Sequence, residues 1–140
     1  MNIIPFEPDH LQTLALQDSQ AWVMPMLSPE YGAMLKKAGL CFTAMEGEEI
    51  MACAGIMKIW EGRDLAWALI SGNSGKHFIK IYRAIKLFID THPTRRIEAT
   101  VDFNFAEGHR LMRMLGFEYE GKARAFMPDG RDVGLYARVK

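Results

Sequence analysis

Between Arg96 and Asp102, Ile97, Ala99 and Val101 alternate with Glu98, Thr100 and Asp102, a period of two that predicts a strand. Just beyond it, Asn104 is a candidate helix N-cap, because its side-chain oxygen can accept an unpaired N–H of the first turn, and Glu107 completes a capping-box spacing. The helix itself is expected over Ala106–Leu115, with Gly116 as a left-handed stop and Phe117 entering another strand-like run. Upstream, Phe78, Ile81, Tyr82, Ile85, Phe88 and Ile89 recur at three- and four-residue steps. That spacing predicts one broad apolar face on a helix running to His92, where Pro93 stops it.

The remaining elements are read from shorter patterns. Met1–Pro5 is a short apolar candidate strand, and Pro8 at a first helical position opens a predicted helix over His10–Leu16. Ser28-Pro29-Glu30 is a clearer helix start, leading through Tyr31, Met34, Leu35 and Ala38 to a stop at Gly39. Leu40–Met45 and Ile50–Trp60 form a predicted antiparallel pair around Glu46–Glu49, and the turn Glu61–Asp64 leads into Leu65–Ile70. At the end, Phe117–Met127 and Asp132–Val139 flank Pro128-Asp129-Gly130-Arg131, whose proline and Asp-Gly pair mark a hairpin. The segment Gln20–Leu27 is apolar but interrupted by Pro25, and two readings stay open: a cover over the core, or a wall of a ligand groove. The order predicts an α/β (α+β) domain with a mixed sheet. Its central strand–helix–strand unit is right-handed and parallel, and hairpins add antiparallel strands.

No repeat, low-complexity run or linker divides residues 1–140, which form one domain in this reading, and 140 residues suffice for a sizeable core. Seventeen Lys and Arg balance seventeen Asp and Glu, which argues against a nucleic-acid binder relying on a strong positive field. The two cysteines, Cys41 and Cys53, lie in apolar runs and read as buried thiols in a reducing compartment. No run approaches the roughly 20 apolar residues of a membrane span, and the N-terminus does not read as a signal peptide, so a cytoplasmic protein is expected.

Candidate chemistry is sparse. The loop Ser71-Gly72-Asn73-Ser74-Gly75-Lys76 lies between a strand and a helix, where glycines expose consecutive N–H groups and the helix N-terminus adds positive potential. It reads either as a phosphate cradle, supported by Lys76, Lys80 and Arg83, or as an ordinary surface loop. His109, spaced helically from Phe105 and Met112, is either packed against the sheet or placed in a cleft to move protons. His10, His77 and His92 are scattered without a ligand cluster, so no metal site is expected. Asp102, Glu107 and Glu118 read by default as surface carboxylates.

Together the element order and the 96–138 segment resemble the GNAT (GCN5-related N-acetyltransferase) superfamily. Asn104, Leu115-Gly116-Phe117, Glu120-Gly121, the Pro128–Asp132 hairpin and Leu135-Tyr136-Ala137-Arg138 stand where that superfamily carries such residues. Within it the chain looks most like small bacteriophage and prophage proteins, some described as internal virion proteins. The resemblance implies acetyl-CoA in a V between Leu65–Ile70 and Arg96–Asp102, with its pyrophosphate on the loop before the first core helix. Ile70, Gly72, Asn73, Gly75, Lys76, His77, Lys80 and Asn104 are the implied cofactor contacts. The family's loop pattern falls on Gly72, Gly75 and His77, and only Gly75 matches it. Where many members place a proton-donating tyrosine this chain has Met112, and Leu65–Ile70 lacks the common glutamate base. His109 is then the first substitute for proton transfer and Tyr119 the second. The implied activity is acetyl transfer to an amine: a protein lysine, an N-terminus or a small molecule. The competing implication is a non-catalytic module that binds a host or virion protein through residues such as Trp22, Met24 and Met26. It would act in a host cytoplasm or a virion, with the oligomeric state open, a dimer included.

Overall fold

The computed structural model describes residues 1–140. Its strands are β1 (Asn2–Pro5), β2 (Cys41–Glu46), β3 (Glu49–Trp60), β4 (Arg63–Ile70), β5 (Arg96–Asp102), β6 (Glu118–Ala123) and β7 (Val133–Val139). Its helices are α1 (His10–Thr13), α2 (Pro29–Ala38), α3 (Phe78–Thr91) and α4 (Ala106–Met114), with a 3₁₀ segment at Asp18–Met26. One seven-stranded sheet runs β1-β2-β3-β4-β5-β7-β6. Every neighbouring pair is antiparallel except β4 and β5, which are parallel. This is the mixed sheet that the hydrophobic pattern predicts.

Alternation along the strands sends apolar side chains to both faces. On one face, α3 and α4 cover Ile97, Ala99, Val101 and Tyr136, with Ile89, Leu115 and Phe117 closing the cluster. On the other, Cys53 and Leu69 pack with Phe6, Leu11, Leu14 and Leu35 from the α1 and α2 side. Burying an aliphatic or aromatic side chain of this size contributes about 1.5–3 kcal/mol, so these two layers dominate stability. Cys41 and Cys53 are free thiols, and burial pushes the Cys53 thiol up to about 11.

Three expectations need correction. The helix predicted over His10–Leu16 stops at Thr13, because the next residues pair with the end of β4: Gly72 N–H donates to the Ala15 carbonyl (2.8 Å) and Gln17 N–H to the Ile70 carbonyl (2.9 Å). Asn104 does not cap α4. It is exposed in a turn, and Phe105 occupies the cap position with no side-chain hydrogen bond, so no capping box forms with Glu107. The strand predicted to run to Met127 ends at Ala123, because the backbone turns at Ala125 (φ 49°), whose N–H donates to Asp132 Oδ1 (2.8 Å). Gly116 does adopt the left-handed conformation expected of it (φ 84°).

One irregularity organises the rest. β4 and β5 are paired over only Arg63↔Arg96, Asp64↔Ile97 and Leu65↔Glu98. Beyond that they diverge, while β5 stays paired with β7 as far as Asp102↔Val133. The result is a V closed at Arg63 and Arg96 and open at Ile70 and Asp102. At the closed end Glu98 accepts from Arg63 and Arg96, and Arg96 also pairs with Glu120 on β6 (2.5 Å).

Candidate functional site

The V opens into a groove of about 1490 Å³ bounded by α3 and α4. Ala66, Ala68 and Ile70 line it from β4, Ala99 and Val101 from β5, and Leu111 from α4. Small side chains on both arms leave room for a ligand along the cleft, and the volume exceeds the roughly 300–1,000 Å³ of a typical small-molecule site.

At its open end the groove meets the Ser71–Lys76 loop. The Ser71 hydroxyl accepts from Asn73 N–H (3.0 Å), and the Ser74 hydroxyl donates to the Ser71 carbonyl (2.8 Å). Both serines are buried, so these local bonds fix the loop. They leave the N–H groups of Gly75 and Lys76 without a partner in the protein, at the entry to a short 3₁₀ turn that continues into α3. A Cβ at Gly75 would meet nothing within 4 Å, so an anion has space to approach. Unpaired N–H groups at a helix start are the geometry that binds phosphate.

Of the expected cofactor contacts, Ile70, Gly72, Asn73 and Gly75 line the groove, whereas Lys76, His77, Lys80 and Asn104 do not. Lys76 and Lys80 are exposed beside the loop. The His77 ring turns toward the β2–β3 hairpin, with Nδ1 3.7 Å from Glu46 Oε2. Asn73 also donates from Nδ2 to Glu49 Oε1 (2.7 Å).

The two expected proton carriers are not in the groove. His109 belongs to α4 and its ring reaches β7, with Nε2 2.9 Å from the Phe103 carbonyl and Nδ1 2.6 Å from the Tyr136 hydroxyl. A carbonyl only accepts, so Nε2 carries the hydrogen, and in the neutral ring Nδ1 accepts a hydrogen bond from the Tyr136 hydroxyl. Both nitrogens are thus engaged, and the packed alternative describes this residue. Burial raises the Tyr136 hydroxyl above the usual tyrosine range, which keeps it a donor. Tyr119 stacks edge-on against Tyr136 at 5.5 Å and is otherwise half exposed. Met112 does line the groove, and a thioether there has no proton to give.

Two residues that sequence reasoning left without an individual role, Gln20 and Arg131, reach the arms of the V. Gln20 reaches the β4 edge inside the V, with Nε2 donating to the Ala68 carbonyl and Oε1 accepting from Ile70 N–H, both at 2.9 Å. Trp22 lines the groove, and the Arg131 guanidinium stacks over it at 4.4 Å. Arg131 also lies 3.3 Å from Asp102, the last residue of β5, and 2.9 Å from Asp129. Gln20–Leu27 therefore serves both roles considered for it: Val23 and Leu27 pack on the core, while Trp22 walls the groove. The sequence signal for Gln20 and Arg131 was weak, a polar residue heading an apolar stretch and a charged hairpin tip.

No protein-family model matches the sequence, and no curated protein matches it either. Solved structures do. The N-acetyltransferase from Staphylococcus aureus Mu50 superposes with a TM-score of 0.75 at 14% identity, covering 99% of this chain and 96% of that one. The ribosomal-protein-S18-alanine N-acetyltransferase from Escherichia coli gives 0.75 at 13% identity, over 99% and 92%. The GNAT-family acetyltransferase from Streptococcus pneumoniae gives 0.72 at 18% identity, over 99% and 98%. At such identities the likeness is one of fold. The chain has the mixed α/β fold of the GNAT acetyltransferases.

Proposed function

We propose that this chain is an N-acetyltransferase that moves the acetyl group of acetyl-CoA to an amine. The observation that carries the reading is a single groove joining the V between β4 and β5 to a loop with unpaired N–H groups at Gly75 and Lys76. The residues fit such a co-substrate: the loop N–H groups for the pyrophosphate, Lys76 and Lys80 beside them for the remaining phosphate charge, and the apolar arms of the V for the extended chain. When bound, acetyl-CoA supplies an activated thioester.

This chain's own contribution is mainly orientation. Met112 replaces a proton donor, and His109 and Tyr119 lie outside the groove, so the acceptor must arrive as the neutral amine. Holding amine and thioester carbonyl in line removes much of the entropic barrier without an acid or base. The expected rate therefore rises with pH until the acceptor amine itself is deprotonated, with no second limb from an enzyme group. Incubation with acetyl-CoA and an amine panel from pH 6 to about 10, the normal range for amine titration, would reveal acetylated products by mass spectrometry. Absence of heat in a titration with millimolar acetyl-CoA would sink the reading.

A second reading is a non-catalytic module of the same fold, in a phage particle or against a host protein. Met112 in the groove and Gln20 on the β4 edge favour it, since both occupy places where chemistry or ligand would be expected. Co-purification of the chain with particles or with a specific host protein, without turnover, is its expected signature.

A further inference from the structure

Where β4 leaves β5, the backbone groups of β4 that face the opening lose their strand partner. A strand edge exposed inside a groove is a template for an added extended chain. Here the template is already filled. The Gln20 side-chain amide gives one donor to the Ala68 carbonyl and one acceptor to Ile70 N–H, the pair that one residue of an added strand would offer through its own N–H and C=O. Gln17 N–H closes the Ile70 carbonyl (2.9 Å), and Gln17 Nε2 steadies Gln20 Oε1 (2.9 Å).

Gln20 belongs to the 3₁₀ segment Asp18–Met26, which buries none of its residues fully. The same segment is fastened to the other arm of the V: Trp22 lies under Arg131, and Arg131 pairs with Asp102. The segment thus bridges β4 and β5 across the mouth of the groove. Arg131 is partly exposed (31%), so this second attachment is open to screening by salt.

We propose that Asp18–Met26 is a displaceable strap over a binding edge for an extended chain bearing secondary amides. Gln20 stands in on β4 for the N–H of one ligand amide and the C=O of the next, and Trp22, Arg131 and Asp102 latch the strap to β5. Exchange of the Gln20 amide for the N–H of one ligand amide and the C=O of the next leaves the Ala68 and Ile70 hydrogen bonds intact, so release costs only the strap's own packing and its latch. The proposal rests on the transferase reading for the ligand's identity, since the pantetheine arm of acetyl-CoA is an extended chain with secondary amides.

The test combines calorimetry with the Trp22 indole N–H and Ile70 amide resonances, using acetyl-CoA and, separately, pantetheine. In the wild type, either probe is expected to shift both resonances. Gln20→Ala removes the competitor and should bind about tenfold tighter, the scale of one to two net hydrogen bonds. Arg131→Gln should bind a few-fold tighter with a flatter salt dependence. Should Gln20→Ala fail a thermal-melt check of folding, Gln20→Glu keeps the size, still accepts from Ile70 N–H and cannot donate to Ala68. It should then bind pantetheine more tightly than the wild type. A Trp22 resonance unmoved at saturation, affinity unchanged or weakened in the Gln20 variants, or no binding of either probe would each overturn the strap. Acetyl transfer with an unmoved Trp22 leaves the transferase standing and removes the strap. Displacement by pantetheine without any transfer supports the strap and removes the transferase.

Discussion

His109 illustrates how neighbours decide what a residue can do. With Nε2–H on the Phe103 carbonyl and Nδ1 receiving the Tyr136 hydroxyl, it joins the turn after β5 to β7 and has no lone pair left for a substrate. His109→Ala would strand a carbonyl and a hydroxyl in a partly buried setting, at a cost of about 1–3 kcal/mol. Urea denaturation should show that loss, while acetyl transfer per folded molecule stays unchanged. Unchanged stability with a collapsed kcat would return His109 to the role of proton carrier. Gln20 and Arg131 point the other way. Neither has a spacing that suggests function, yet their side chains meet the two arms of the V, because a hydrogen bond or cation–π contact across the fold leaves no periodic trace in sequence.

At the scale of elements, α4 sits on β5 because Gly108 lets it. A Cβ there would lie 2.6 Å from Phe105 Cδ2 and 2.7 Å from Val101 Cγ1. Gly108→Ala gains about 1 kcal/mol of helix propensity and incurs about 1–3 kcal/mol of overpacking, so a net loss is expected. The urea midpoint should fall at unchanged slope. A raised midpoint would mean that the α4–β5 gap adjusts freely. This seating was invisible in the sequence, whereas the elements themselves were legible. The Phe78–Ile89 steps and the Ile97–Val101 alternation arise from burial of one face, which periodicity records directly. Boundaries failed where a tertiary partner took over a local preference. Ala15–Gln17 left the helical run to pair with the end of β4, and Asn104 moved into a turn whose hydrogen bond runs from Phe105 N–H to the Asp102 carbonyl (2.9 Å). The glycine loop was legible as a candidate cradle because its composition dictates exposed N–H groups. The strap was not, since it depends on where β4 and β5 part.

Across the whole molecule, the V needs a closed end as much as an open one. Three parallel residue pairs join β4 to β5, and the ion network Arg63–Glu98–Arg96–Glu120 carries the connection on to β6. Glu98 is the hub, its side chain only 18% exposed. Arg63 chiefly, and Arg96 after it, hold the Glu98 carboxyl below the ordinary glutamate range, and Arg96 does the same for Glu120. A carboxylate whose folded pKa is depressed binds fewer protons folded than unfolded. Its stabilisation is therefore fully present above the unfolded value, about 4.3, and is lost as pH falls through the folded value. Glu98→Gln should cost about 1–2 kcal/mol at pH 7, between an exposed and a fully buried pair. It should also flatten the decline of stability between neutral pH and about pH 3, because the variant has no proton to take up at this position. Urea unfolding of both proteins across that range measures the two slopes. Parallel curves would show that Glu98 does not couple protonation to folding, and that the closed end is held by backbone pairing alone. Curves that converge as pH falls would establish Glu98 as the proton-sensitive clasp of the V.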